Sequence, residues 1–252
     1  VPDPIPSQDN VLVKIKAVGI CGSDMHAYLG HDERRPAPLI LGHEAAGIIS
    51  GGKRDGERVT INPLVSCGDC LVCKARRENI CPNRQIISMP PREGAFAQYV
   101  SMPEKNLVIV PSEYSLDKAS LVEPLAVGWH TAKLATNAID ANMEKKALVI
   151  GGGAIGLATA LALRAMDITE LTISEFNPLR REYLLKHIDA EVVEKTENSF
   201  PIVIDAVGFA STRSVASQLV SPGGIIAHVG LGNNADGLDI RRITLQEITF
   251  IG

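Results

Sequence analysis

Ala147-Leu-Val-Ile-Gly151-Gly-Gly-Ala-Ile-Gly156 is the stretch whose reading decides the fold of this chain. Its four leading apolar residues suit a strand buried on both faces of a parallel sheet. They run into Gly151, Gly153 and Gly156, spaced as G-x-G-x-x-G, and then into an Ala- and Leu-rich helical pattern over 154–166. Alone the glycine pattern is weak; between a buried strand and a helix it predicts a dinucleotide-binding loop. The first glycine permits the tight turn and the second lets backbone approach a pyrophosphate. The third allows close strand–helix packing, with the helix N-terminus facing the anion. Ile155, inside the same turn, is a further candidate for cofactor contact. A glycine-rich turn with no ligand is the alternative.

Working outward, Glu175 ends the next expected strand, about 20 residues on, where a carboxylate can accept hydrogen bonds from ribose hydroxyls and repel the extra phosphate of NADP. NAD is therefore expected, although Arg180 nearby is a group that could take that phosphate. Strand patterns at 147–150, 170–174, 190–193, 202–206, 224–229 and 248–251 alternate with helical patterns at 154–166, 178–187 and 212–219. Such alternation predicts an α/β unit, a doubly wound parallel sheet with six strands. Before it the chain reads differently. Short strands at 11–17, 44–49, 58–62, 95–100 and 106–110, separated by Gly and Pro turns, predict a β-rich, barrel-like unit. Helical spacing over 119–136 follows. The boundary is expected within 137–146, giving units 1–140 and 141–252.

Two clusters in the first unit carry metal chemistry. Cys67-Gly-Asp-Cys70-Leu-Val-Cys73, followed by Cys81, brings four thiols into one excursion, the lobe 66–82. Four thiolates close a tetrahedral site with no open position, as in a structural zinc. The bacterial iron–sulfur run has a final gap of three residues where this chain has seven, and a disulfide framework suits secreted chains. Upstream, Cys21-Gly-Ser-Asp-Met-His26 and Gly42-His-Glu44 offer a thiol, two imidazoles, a hydroxyl and two carboxylates. Cys21, His43 and Glu44 suit a borderline-soft ion such as Zn²⁺. Three protein ligands and a fourth position left open is the pattern of a catalytic zinc. A buried thiol and a satisfied core histidine are the plainer alternative.

These motifs together carry a family resemblance. Gly19-Ile-Cys-Gly-Ser-Asp24, Gly42-His-Glu44, the four-cysteine lobe, Leu121-Val-Glu-Pro-Leu125 and the glycine loop occur in the order found in the zinc-containing medium-chain dehydrogenases. The chain is most similar to their sorbitol, butanediol, threonine and galactitol-phosphate branch. The resemblance implies a GroES-like catalytic domain joined to a Rossmann domain, with substrate in the cleft between them and two zinc ions per chain. It implies Cys21 and His43 as ligands of the catalytic zinc, with Glu44 a ligand or exchanging with water. Glu123 would stand where other alcohol dehydrogenases have a cysteine. Ser23 and His26 would pass the substrate proton to solvent. Arg180 would accompany Glu175 on the adenosine side, and Val207, Val229 and Gly230 would line the cofactor. The implied reaction is hydride transfer from a secondary alcohol or polyol to NAD. A polyol phosphate or threonine as substrate, or a catalytically silent dinucleotide-binding relative, are the alternatives. A homodimer or homotetramer is implied as well.

Two departures from the family accompany the match. Ala27 separates His26 from Tyr28, where sorbitol-type enzymes have a tyrosine directly after the relay histidine. The family's chain also returns to its catalytic domain after the sixth Rossmann strand, and no such segment follows here. With its Pro-rich opening, Val1-Pro-Asp-Pro-Ile-Pro, this suggests part of a longer polypeptide.

The bulk composition excludes other classes. With 45% hydrophobic and 21% charged residues and a formal net charge of -4, the chain has the make-up of a globular protein without a basic nucleic-acid-binding surface. Its longest nearly apolar run, 154–163, is too short to span a bilayer. A cytoplasmic protein is the default expectation. His130, His187 and His228 are expected as packing or surface residues, His31 as a solvated loop residue, and Arg34 and Arg35 as surface charge, with contact to a phosphorylated or acidic substrate the alternative for the two arginines.

Overall fold

The computed structural model describes residues 3–6, 10–232 and 236–252. The first two residues of the Pro-rich opening lie outside them. Two compact units result, Val1–Glu123 and Pro124–Gly252.

In the first unit, β1 (Asn10–Gly19) leads through α1 (Gly22–Tyr28) to β2 (Glu44–Ser50), β3 (Arg58–Ile61) and the short β4 (Leu64–Val65). After α2 (Leu71–Lys74) come β5 (Gln85–Ile86), β6 (Tyr99–Pro103), β7 (Leu107–Ile109) and α3 (Leu116–Ser120). An antiparallel sheet runs in the order β6-β1-β2-β3-β7, and β4 pairs with β5 apart from it. Alternation along the strands sends Val13, Ile49, Val59, Val100 and Met102 into one apolar core. The expected strand at 95–100 is corrected: β6 begins at Tyr99, and the backbone of Gly94, Ala95 and Phe96 hydrogen-bonds to Ile40, Gly42 and Leu41. That stretch braces the segment leading to His43 instead of extending the sheet.

The second unit begins within α4 (Val122–Ala138) and continues β8 (Lys146–Ile150), α5 (Ala154–Ala165), β9 (Glu170–Ser174), α6 (Pro178–His187) and β10 (Glu191–Val193). Then follow β11 (Phe200–Asp205), α7 (Ala210–Leu219), β12 (Val220–His228), α8 (Ile240–Leu245) and β13 (Thr249–Ile251). All pairs are parallel, in the order β10-β9-β8-β11-β12-β13. Strand order thus reverses between β8 and β11, the switch point of a doubly wound sheet. Successive residues of β8 feed opposite faces. Ala147 and Val149 pack with Ile173, Ile204 and Ile225 on one face. Leu148 and Ile150 pack with Val203 and Ile226 on the other. That is why these strands read as unbroken apolar runs. Asn177 caps α6, its side chain accepting from the N–H groups of Leu179 and Arg180, with Pro178 at the first helical position.

The compact units divide at Glu123/Pro124, within the helix that precedes the expected 140/141 boundary. The small residues Ala132 and Ala135 of α4 sit in the core with Ala160 and Ala162 of α5. Helical spacing at 119–136 was legible, but nothing in it says which unit the helix packs against.

Candidate active site

Cys21 stands just before α1, and His43 and Glu44 lie where the 30–43 connection enters β2. One donor atom from each of the three closes to within 4.8 Å of the others. Asp24, on the first turn of α1 and 2% exposed, holds this arrangement from behind. Its Oδ2 accepts the Cys21 N–H at 3.0 Å and its Oδ1 the Gly42 N–H at 3.1 Å. Oδ1 also lies 3.4 Å from His43 Nδ1. Among the described residues this buried nitrogen has no hydrogen-bond partner. Burial opposes a charged His43, yet Asp24 and Cys21 outweigh it and push the imidazole up to about 10. Burial likewise opposes ionisation of Cys21, but His43 and the hydroxyl and N–H of Ser23 hold the thiol below its ordinary value. Burial raises Glu44. A depressed thiol, an imidazole with an orphaned nitrogen and a buried carboxylate, all converging, fit Zn²⁺.

Glu123 does not join the donors within 4.8 Å. Its partly buried carboxyl is raised by burial, and it feels His43, Glu44 and Asp24 electrostatically. Ser23 is half-buried, with its hydroxyl on the Cys21 sulfur, and His26 is exposed, its ring 6.5 Å from that of His31. The expectation for Arg35 is overturned: it is 7% exposed. Its Nε donates to Ser88 O at 2.9 Å, and its Nη1 to Ser23 O at 3.3 Å and Asp32 Oδ2 at 3.4 Å. A guanidinium that ties α1 to the turn at Ser88 looks, in sequence, like any loop arginine.

In the lobe, Cys67, Cys70, Cys73 and Cys81 bring their sulfurs to within 4.8 Å of one another, all as free thiols. Separations of 3.5, 3.8 and 3.9 Å between sulfurs match the edge of about 3.8 Å that Zn–S bonds near 2.3 Å impose on a tetrahedron. Backbone and side-chain hydrogen bonding from Cys67 pulls Cys81 down to about 7, while burial and the Cys70 thiol push Cys73 up to about 12, so Cys81 is the thiol that ionises most readily. The donors fit a closed zinc site. Replacing Cys81, wholly inaccessible, with serine is expected to remove one zinc equivalent per chain and lower stability by several kcal/mol. Metal analysis alongside thermal unfolding would check this. Retention of both equivalents would argue against a lobe zinc.

In the second unit, Gly151 takes φ +96, and a Cβ on Gly156 would lie 1.9 Å from Gly151 O. No other residue fits either place. Gly153 caps α5, and a Cβ there would meet nothing nearer than Arg180 Nη1 at 3.9 Å. An open cradle before a helix N-terminus suits a pyrophosphate; Ile155, half-buried, sits in the first turn of that helix. Glu175, 7% exposed, accepts Gly152 N–H at 2.8 Å and Asn177 N–H at 2.7 Å, with Arg180 Nη1 3.7 Å away. Its carboxylate is thus fixed beside the glycine loop, with lone pairs to spare. Val207 overhangs Gly151 across the switch point, and the N–H groups of Val229 and Gly230 both donate to Asp205 O at 3.0 Å. Sequence reading did not single out Asp205, since an Asp closing a strand carries no motif.

A family model described as alcohol dehydrogenase GroES-like domain matches residues 7–112. The chain is 34% identical to a sorbitol dehydrogenase of Bacillus subtilis (strain 168), over 99% of this chain and 76% of that protein. It is 32% identical to an L-galactonate-5-dehydrogenase of Escherichia coli (strain K12), over 90% and 71%. A crystal structure of an alcohol dehydrogenase from E. coli CFT073 complexed with NADH superposes with a TM-score of 0.87 at 27% identity, over 98% of this chain and 77% of that one. A zinc-binding dehydrogenase from Sinorhizobium meliloti 1021 bound to NADP does so with a TM-score of 0.87 at 29% identity, over 100% and 79%. The chain belongs to the zinc-type medium-chain alcohol and polyol dehydrogenases, with a GroES-like and a Rossmann unit. It is an oxidoreductase of that family. No helix among the described residues is long and apolar enough to cross a membrane.

Proposed function

We propose that this chain oxidises an uncharged secondary alcohol or polyol with NAD and holds two zinc ions. The convergence of Cys21, His43 and Glu44 to within 4.8 Å carries the reading. Those three residues hold the catalytic zinc, with Glu123 in reserve when Glu44 exchanges with water. The cysteine lobe holds the second. When bound, zinc supplies Lewis acidity to an alcohol oxygen, and NAD supplies the hydride acceptor. Ser23 takes the hydroxyl proton and the exposed His26 delivers it to solvent. Gly151, Gly153, Ile155 and Gly156 seat the pyrophosphate, Glu175 and Arg180 the adenosine ribose, and Val207, Val229 and Gly230 the nicotinamide half.

An uncharged substrate is favoured over a polyol phosphate because the arginines of the 30–35 loop are committed. Arg34 clasps Asp32 through Nε at 2.9 Å and Nη2 at 3.0 Å, and Arg35 is buried. NAD is favoured over NADP because a 2′-phosphate would face the Glu175 carboxylate, and juxtaposed like charges cost several kcal/mol. The completeness of the donor set weighs against a silent relative. The default location, the cytoplasm, and a homodimer or homotetramer, as the family resemblance implies, complete the reading.

The test is nicotinamide reduction by the full chain with polyols, diols, threonine and polyol phosphates, with NAD and NADP separately, before and after chelation. Chelator-sensitive turnover of a neutral polyol is expected, with NAD preferred by roughly 100-fold. Turnover confined to phosphorylated substrates would overturn the assignment of an uncharged substrate. No turnover despite bound zinc and NAD would overturn the catalytic reading.

A further inference from the structure

Asp205 is fully buried at the C-terminal end of β11, and all its oxygens are engaged in holding the switch-point turns. Its Oδ1 accepts the N–H groups of Val207 at 3.0 Å and Gly208 at 2.9 Å. Its backbone carbonyl takes those of Val229 and Gly230. Oδ2 is left to two side chains, the Thr212 hydroxyl at 3.1 Å and His228 Nδ1 at 3.2 Å. Thr212 has one proton and a second acceptor, Phe209 O, at 3.0 Å. A carboxylate already receiving two N–H groups acts as acceptor, so Nδ1 of His228 carries the proton. His228 is the last residue of β12 and the register partner of Asp205. Its ring is 20% exposed and packs at 5.8 Å from that of Phe250.

We propose that His228 is a positioning residue for the cofactor: the Nδ1–H it donates to Asp205 fixes the turn that seats the nicotinamide half of the dinucleotide. The inference rests on the cofactor placement given above. A doubly wound sheet has two mononucleotide-binding halves. With Glu175 and the glycine loop on the β8–β10 half, the turn after β11 and the end of β12 serve the other. Without the imidazole, Oδ2 depends on a shared hydroxyl, and a buried carboxylate short of a donor draws its neighbours out of place. Val207 and Gly208 hang from the same carboxylate and move with it.

The side chain's two nitrogens make the idea testable by substitution. His228→Asn places an amide N–H near the position of Nδ1, His228→Gln reaches instead toward that of Nε2, and His228→Phe keeps the ring without a donor. NADH affinity would be read from the fluorescence of the bound nicotinamide. ADP-ribose, which lacks the nicotinamide, would be titrated by calorimetry. Loss of a charge-assisted hydrogen bond predicts NADH binding weakened about tenfold in the Phe and Gln variants and restored to within about twofold in the Asn variant. ADP-ribose binding should be the same in all four proteins. NADH binding by the Phe variant as tight as in the unaltered protein overturns the proposal. Equal weakening of ADP-ribose overturns it too, by showing general loss of the domain. If the unaltered protein binds neither ligand, the cofactor placement itself falls.

Discussion

Alanine in place of Cys21 is expected to cut polyol-dependent reduction of NAD by roughly 10³-fold and to remove one zinc equivalent per chain. A metal acting as Lewis acid contributes several kcal/mol of transition-state stabilisation, and each 1.36 kcal/mol is tenfold in rate. Cys21 is the only thiol in its cluster, with its N–H fixed by Asp24 and its sulfur addressed by Ser23. The His43 imidazole and Glu44 carboxylate left behind make a poorer site. Folding should be little affected, because Cys21 is only half-buried and lies outside the apolar core of the first unit. Rate, metal content and thermal midpoint measured on one preparation would check this. Full activity at one zinc per chain would displace Cys21 from the catalytic site.

Gly156→Ala should abolish dinucleotide binding and destabilise the second unit by about 3 kcal/mol. Neither partner in the clash can yield cheaply. A methyl group 1.9 Å from Gly151 O drives α5 off β8, and Gly151 is itself held in the left-handed region with Val207 above it. The helix that would turn its N-terminus to the pyrophosphate is the one displaced. NADH titration with denaturant unfolding would measure both effects, and binding at undiminished affinity would show that the loop seats no pyrophosphate.

Much of the second unit was legible because its signals are local. Buried strands show as apolar runs, the glycine spacing is rigid, and the Asn177-Pro178 start of α6 declares itself. Pattern fails where a residue's role depends on what arrives from far along the chain. Arg35 has the spelling of surface charge until Ser88 O reaches it, and His228 reads as filler until β11 lays Asp205 beside it. The helix α1 was missed because it is short and carries its chemistry on polar residues, without an apolar stripe. The candidate metal donors Cys21, His43 and Glu44 could be picked out by type, yet their convergence, and the place of Asp24 behind them, required the sheet that joins β1 to β2.

The reversal of strand order also shapes how the cofactor site is born. Register partners within each half of the parallel sheet, such as Ala147 with Leu171 or Ile225 with Thr249, are near neighbours along the chain. Ala147 and Ile202, which join β8 to β11, are more than twice as far apart. Local pairings close first because shorter loops lose less entropy, so the seam between the halves is the late event in assembly. Gly151 and Val207 meet across that seam. A nascent chain with only its first half ordered therefore has a glycine loop but no wall opposite it, and completes the proposed dinucleotide cradle only when the last long-range pairing closes.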